Sequence, residues 1–525
     1  MKKTTIEDIK NLLQCRISID EIKSLKDLPL PSSLKDIDKA TSRIIKAIKN
    51  DETINIVGDY DADGVISTAI MVEFFTKAVG IEVNYMIPNR FIHGYGISAK
   101  ILEDIYEGII ITVDNGISAV EAAKICKDRG LDLIITDHHT VGIDIPDAYA
   151  IVNPKQEVCE FPFSDICGAN VAWYLCANIK KELGLDFNLM ELFDLLTIAV
   201  IADVMPMKSI NKTIVKRGLS ELSKSTRPAF VAIKEKFGLK NINEDDIGFK
   251  IAPLINCAGR MEDANIALEF LLSFDEYEAN EQLAYLSELN ETRKQEQLLI
   301  FENAKTKVNL NDDVIVVYGD DWNEGIIGIV AAKLCEKYKK PSFVFRQNGA
   351  TLKGSGRGNG EVNLHTLLTK VSTLLSGFGG HKGAAGLSLK TVHFDNFKES
   401  INKAYKTLPK ETDFVSNDFL CEIELGLIGA PLFDLVNSFR PFGLGNIMPI
   451  FRFNDLKVIE VKIIGKNKEY KKLVLNHGNA TIEALVFVDV DEVFEGQIIS
   501  ILATLDKNEF RNETTYNLLL KEILE

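Results

Sequence analysis

The 525 residues are 46% hydrophobic and 26% charged, enough to bury several cores, and three or four domains are expected at about 150 residues each. This composition excludes a disordered or collagen-like chain, and no apolar run approaches the roughly 20 residues of a membrane-spanning helix. Asp and Glu number 76 against 60 Lys and Arg, a net charge of −16 that, taken whole, argues against a nucleic-acid partner.

Residues 1–50 read as amphipathic helix broken at Leu28-Pro29-Leu30-Pro31. No apolar segment follows the lysines of Met1–Lys10, so a signal peptide is not expected. From Ile54, short apolar runs (Ile54–Val57, Val83–Ile87, Ile109–Val113, Leu133–Thr136, Tyr149–Val152) alternate with helix-period segments such as Val65–Val79 and Ile117–Lys127. That alternation predicts an α/β fold with a doubly wound parallel sheet, whose reactive groups gather at the carboxyl ends of the strands. After Asp203 the chain reads as helical to Lys307, with Asn280–Lys307 a long connecting helix. Val314–Tyr318 opens a second, smaller α/β unit. The runs Leu456–Ile464, Lys472–Leu475, Thr481–Phe487 and Ile498–Leu505 predict a C-terminal β-barrel, OB-fold-like.

The charge is unevenly spread. Residues 331–410 carry +10, residues 411–525 carry −8, and residues 1–330 carry −18. One basic module therefore sits in an otherwise acidic chain. The eight cysteines are scattered without a C-x-x-C pair, which fits free thiols in a reducing cytoplasm.

Acidic clusters follow the predicted strands: Gly58-Asp59-Tyr60-Asp61-Ala62-Asp63-Gly64, then Asp114-Asn115-Gly116, then Asp137-His138-His139. Asp203 closes the apolar run from Leu195. A single acid after a strand is more often a helix N-cap than a ligand, and a single histidine more often structural. Three carboxylates within five residues, however, repel one another unless cations compensate, and an acid in an apolar run needs a partner. Together these groups make a hard, oxygen-rich donor set with imidazole, suited to Mn²⁺ or Mg²⁺. The acids outnumber what one ion needs, so two ions about 3.5–4 Å apart are expected, the arrangement for in-line phosphoryl displacement.

These motifs resemble the DHH phosphoesterase superfamily, and within it the bacterial single-strand-specific 5′→3′ exonucleases. The similarity continues through Pro88-Asn89-Arg90, Gly94-Tyr95-Gly96, Asn256–Arg260, Gly325–Ala332, Gly379-Gly380-His381 with Ala384-Ala385-Gly386, and Pro441–Asn446. Only the first 40 or so residues fall outside it. The resemblance implies Asp61, Asp63, Asp114, His138 and Asp203 as metal ligands, with Asp59, Asp137 and His139 as catalytic residues that ligate or orient them. After the N-terminal helical segment (1–50) it also implies a catalytic DHH domain (51–265), connecting helices (266–310), a DHH-associated substrate-binding domain (311–410) and the barrel domain (411–525).

Gly354-Ser355-Gly356-Arg357-Gly358 lies in the basic module, where glycines admit backbone N–H groups to an anion and arginine grips phosphate; a flexible turn fits the same residues. Gly377–Gly386 surrounds His381, and close packing would explain its small residues equally. The resemblance implies that Arg260, Ser355, Arg357 and His381 hold the substrate near its 5′ end. Gly358 stands where the family usually has serine, which removes a hydroxyl donor. Lys466, Lys468, Lys471 and Lys472 either contact a strand or form a solvated hairpin.

The expected activity is thus metal-dependent 5′→3′ hydrolysis of single-stranded DNA to 5′-mononucleotides in recombination and repair. The expected partner is single-stranded DNA with a free 5′ end, alongside a single-strand-binding protein and a helicase, with no membrane. The alternatives are a phosphoesterase for oligoribonucleotides or small nucleotides, and a catalytically silent replication scaffold.

Overall fold

The computed structural model describes residues 4–16, 22, 24–410, 419–465, 470–487, 493–510 and 513–524. Lys466 and Lys468 lie outside them; Lys472 pairs with Glu483 at 2.9 Å. The chain forms two compact units, one from Pro29–Asp203 and Gly218–Val415, the other from Met1–Leu28, Val204–Arg217 and Ser416–Glu525.

The larger unit holds two sheets. In the first, β1 (Ile54–Val57), β2 (Asn84–Met86), β3 (Ile109–Val113), β4 (Asp132–Thr136) and β5 (Ala150–Val152) run in the order β2-β1-β3-β4-β5. Every pairing is parallel. β1 and β3 are buried along their whole length, as expected for strands covered on both faces. The register Val57↔Thr112 and Val113↔Thr136 brings the carboxyl ends of β1, β3 and β4 to one edge. Helix α1 (Ala62–Phe74) has no polar face and is buried almost all round, packed by α2 (Gly168–Leu183) and α3 (Phe193–Ala202). The run from Leu195 is therefore interior helix. Helix α4 (Ala252–Met261) precedes the 31-residue helix α5 (Glu276–Thr306), whose N-cap Asp275 accepts from Glu278 N–H.

The second sheet has the order β6-β7-β8-β10-β9: β6 (Ile315–Gly319), β7 (Ser342–Asn348), β8 (Thr351–Arg357), β9 (Gly377–Gly380) and β10 (Ala384–Lys390). Only β6 and β7 pair in parallel. The apolar pattern marked β6 alone, and glycines interrupt β8 and β9. In β8 these glycines are a packing requirement: a Cβ on Gly354 or Gly356 would stand 2.3 and 2.4 Å from the rings of Phe345 and Phe343. Helix α6 (Ile327–Tyr338) packs on β7 and β8.

In the smaller unit, β12 (Phe451–Ile464), β13 (Tyr470–His477), β14 (Ala480–Val486), β15 (Ile498–Phe510) and β16 (Glu513–Leu524) close into a barrel through the β12–β15 pairing. β11 (Cys421–Glu422) adds to β12 at one edge. Phe451, Phe453, Leu473, Leu475, Ile501 and Leu518 fill its interior. The leucine run of β16 fits helix as well as strand by pattern, and pairing with β15 decides it. No helix of the described residues is long and apolar enough to cross a membrane.

Candidate active site

The acidic motifs meet where β1, β3 and β4 end. Between β1 and α1, Gly64 passes so close to Asp59 that a Cβ would lie 2.5 Å from its carbonyl oxygen. Asp61 caps α1, accepting from Asp63 N–H at 3.0 Å and Gly64 N–H at 3.2 Å. It is both the N-cap and a member of the acidic cluster. Asp63 accepts from the N–H groups of Gly168 (2.5 Å) and Ala169 (2.9 Å) at the start of α2, where the helix terminus favours negative charge.

After β3, Asp114 adopts a left-handed backbone (φ 63°), a conformation that aspartate tolerates better than most residues. A Cβ on Gly168 would stand 2.5 Å from the Asp114 side chain. Asn115 donates through Nδ2 to the carbonyls of Val57, Gly58 and Val113 and accepts from Ile97 N–H. It ties the ends of β1 and β3 together.

After β4, the Asp137 carboxylate is fully used. It accepts from the N–H groups of Ile117, His138 and His139 and hydrogen-bonds His139 Nδ1 at 2.7 Å. Burial opposes its ionisation, but the hydrogen bonds and charge of His139 hold it below the usual carboxylate range. Asp137 therefore orients the two histidines. His138 Nε2 lies 3.1 Å from Asp114 Oδ1, 3.6 Å from Asp203 Oδ2 and 3.7 Å from Asp63 Oδ2. Burial, then the neighbouring His139, pushes His138 down to about 3, so it meets the carboxylates as neutral imidazole. Burial opposes the charge on His139 too, but the bond to Asp137 and nearby acids raise it to about 9.

Three sets of donor atoms each fall within 4.8 Å of one another: Asp63, His138 and Asp203; Asp59, Asp61 and Asp114; and Asp114, His138 and His139. Burial, followed by mutual repulsion, lifts Asp59 and Asp114 well above the carboxylate range, Asp63 to about 6 and Asp203 to about 8. Asp59 Oδ1, Asp114 Oδ1 and Asp203 Oδ2 are buried and accept no hydrogen bond from the described residues. Such oxygens need cations, and a carboxylate-rich set with neutral imidazole fits Mn²⁺ or Mg²⁺.

Beside this cluster the larger unit gathers arginines. Burial, then repulsion from Arg90, and from Arg357 and Arg293, lowers Arg260 to about 10. Arg260 donates to the Gly325 carbonyl at 3.2 Å. Arg90 lies 4.0 Å over the Tyr60 ring, and its buried Nε has no hydrogen-bond partner. Arg357 donates to Ser355 Oγ at 2.9 Å, and a Cβ on Gly328 would crowd both side chains. Converging half-buried guanidiniums make a site for an anion. His381, on the β9–β10 turn, faces His139 with ring centroids 6.5 Å apart. A Cβ at Gly358 would lie 3.2 Å from Leu364 Cγ, so the missing hydroxyl has a packing reason.

The cluster thus contains Asp59, Asp61, Asp63, Asp114, His138, His139 and Asp203, with Asp137 behind them. Arg260, Ser355 and Arg357 meet around the Gly325–Gly328 segment. The sequence did not single out Asn153, which donates to the His139 carbonyl, and Asn115 stood there within a motif but with no role; both follow strand ends. Arg90 and Asn256, which accepts from Ala62 N–H at 3.1 Å, lay within recognised motifs without an assigned role.

The chain matches the DHH family N-terminal domain over residues 53–200, the DHHA1 domain over 311–407 and the RecJ OB domain over 421–522. It is 35% identical over 512 residues to the single-stranded-DNA-specific exonuclease RecJ of Bacillus subtilis, covering 94% of this chain but 64% of that longer protein. The Haemophilus influenzae protein of the same name is 30% identical, with 95% of this chain and 92% of that one covered. The crystal structure of RecJ from Thermus thermophilus in complex with Mn²⁺ is similar with a TM-score of 0.84 and 26% identity, over 99% of this chain and 76% of that one. The domain series, the identity along nearly the whole chain and the shared fold lead to one conclusion: this chain belongs to the RecJ family.

Proposed function

We propose that the protein is a metal-dependent 5′→3′ exonuclease that degrades single-stranded DNA to 5′-mononucleotides in recombination and repair. The observation that carries this reading is the pair of donor groups, Asp63–His138–Asp203 and Asp59–Asp61–Asp114, with Asp114 beside both through its contact with His138. Two Mn²⁺ or Mg²⁺ ions held by these residues would activate water and stabilise charge on the reacting phosphodiester. Asp137 keeps His139 turned toward the site by taking its Nδ1.

Arg260, Arg357, Ser355 and His381 hold the 5′ side of the strand, and Arg90 joins them. With the 5′-terminal phosphate anchored there, water attacks the next phosphorus and the P–O3′ bond breaks. The terminal nucleotide leaves with a protonated 3′ oxygen, and the shortened strand keeps a new 5′-phosphate. In this reading His139, kept protonated by Asp137 and the nearby acids, gives the proton that the leaving oxygen takes.

In this reading residues 51–265 are catalytic, 266–310 connect, 311–410 bind substrate and 411–525 guide the strand, with 1–50 as an N-terminal helical segment. A single-strand-binding protein and a helicase supply the strand in the cytoplasm, a location supported by eight free cysteines.

The test is digestion of 5′-labelled single-stranded DNA, duplex DNA and short RNA with Mn²⁺ or Mg²⁺, with a chelated control. Labelled mononucleotide should be released from single strands alone and only with metal. Survival of the DNA label while dinucleotide RNA is cleaved would overturn the reading in favour of an oligoribonucleotide phosphoesterase.

A further inference from the structure

A cavity of about 650 Å³ opens beside the arginine cluster, within the usual size range for small-ligand sites. Its wall includes Phe91 and Met261, each next in sequence to a cluster arginine, Arg90 and Arg260. It also includes Asn323, whose Oδ1 accepts from Gly325 N–H, in the same turn whose Gly325 carbonyl receives Arg260. The cavity is therefore joined to the anion site through the turn that receives Arg260. The Phe91 ring is 41% exposed, while Trp322 is buried as floor beneath Lys307.

The polar groups exclude a second phosphate. Glu296 and Asp321 are carboxylates, and Glu296 spends one oxygen on Asn323 Nδ2 at 3.2 Å. Opposite in charge is Arg346, whose buried Nε has no hydrogen-bond partner. Carboxylates accept from base amino groups, and arginine donates to guanine O6 and N7. Apolar walls with an exposed aromatic ring suit a planar base.

We propose that this cavity is a subsite for the nucleobase of the 5′-terminal nucleotide, best matched by guanine, with its phosphate on the arginine cluster. The inference rests on the exonuclease reading above. It makes Phe91 and Arg346 determinants of how fast a given end is processed. A base seated here fixes the terminal nucleotide sideways from the strand and so sets where the next phosphorus lies.

The test uses the full chain with Mn²⁺ and three 5′-phosphorylated single strands that differ only in the terminal residue: dG, dT or an abasic deoxyribose. The kcat/KM for removing that residue should fall from dG to dT to abasic. The abasic end should lose about tenfold, the lower range for stacking on one base. Phe91→Ala and Arg346→Ala should bring the dG-ended strand down toward the abasic value, with melting temperatures confirming that both variants fold. Equal rates on all three ends, or a preference that survives both substitutions, would overturn the subsite and leave the exonuclease reading standing. Inactivity on every strand would instead overturn the exonuclease reading, and this inference with it.

Discussion

The imidazoles of His139 and His381 lie almost parallel, 15° apart with centroids separated by 6.5 Å. One follows β4 of the first sheet and the other lies in the β9–β10 turn of the second. The pair marks where the acidic cluster and the glycine-rich hairpin face each other. In the reading proposed above, His381 holds the strand at this junction.

His381→Ala is accordingly expected to raise KM for single-stranded DNA about tenfold, as loss of one hydrogen bond to a charged group would, with kcat nearly unchanged. Steady-state kinetics on a short labelled strand checks this. A fall in kcat at constant KM would assign His381 to the reaction itself.

Asp114→Asn should abolish turnover while single-strand affinity persists. Asp114 lies 3.1 Å from His138 and belongs to two of the three donor sets. Rates with Mn²⁺, paired with binding by fluorescence anisotropy, separate the two effects.

Arg357→Ala should weaken single-strand binding and lower the slope of log K against log salt by about 0.7, the share of one phosphate contact on a single strand. Anisotropy titrations at several salt concentrations measure it. An unchanged slope would remove Arg357 from the phosphate contacts.

Metal removal should make stability depend on pH in a particular direction. Burial, then Asp63 and Asp61, raises Asp203 from 3.8 to about 8 in the fold, so between those values the native state holds a proton that the unfolded chain releases. Asp203 therefore costs the chelated protein stability progressively as pH rises from about 4 to about 8. Chelated Asp203→Asn should melt above the chelated parent at pH 8 and close to it at pH 4. Mn²⁺ should stabilise the parent more at pH 8 than at pH 5. Thermal melts with and without chelator at each pH check both statements.

The strand-end acids were legible because a parallel sheet delivers its loops to one edge, so Asp59–Asp63, Asp114 and Asp137–His139 could be aligned before any coordinates. Which of them face the site could not be read the same way. Asp137 and Asp59 look alike in sequence, yet one has its oxygens filled by N–H groups and the other keeps a buried oxygen bare. That difference depends on where the backbone of Ile117 passes, twenty residues away. The arginine cluster was half legible for the same reason: Arg357 announces itself among glycines, whereas Arg90 acquires meaning only from its place over Tyr60. In the second sheet, glycines demanded by Phe343 and Phe345 hid β8 from any apolar pattern.

The order β1-β3-β4 gives the site its layout. Asp59 and Asp61 follow one flank of this trio, His138 follows the other, and Asp114 follows the strand between them, with Asn115 pinning that strand to β1. Neighbouring strands lie about 4.8 Å apart, so the loops that follow them deliver their side chains within reach of one another. The sheet thus acts as a ruler for the donor groups, whose placement is inherited from backbone hydrogen bonding before side-chain lengths adjust it. Tolerance to change should follow the same geometry: replacing Asp59 or Asp61 on a flank touches one donor set, replacing Asp114 on the middle strand touches two of the three, and slipping one strand by a residue erases the site while every ligand is still in the chain.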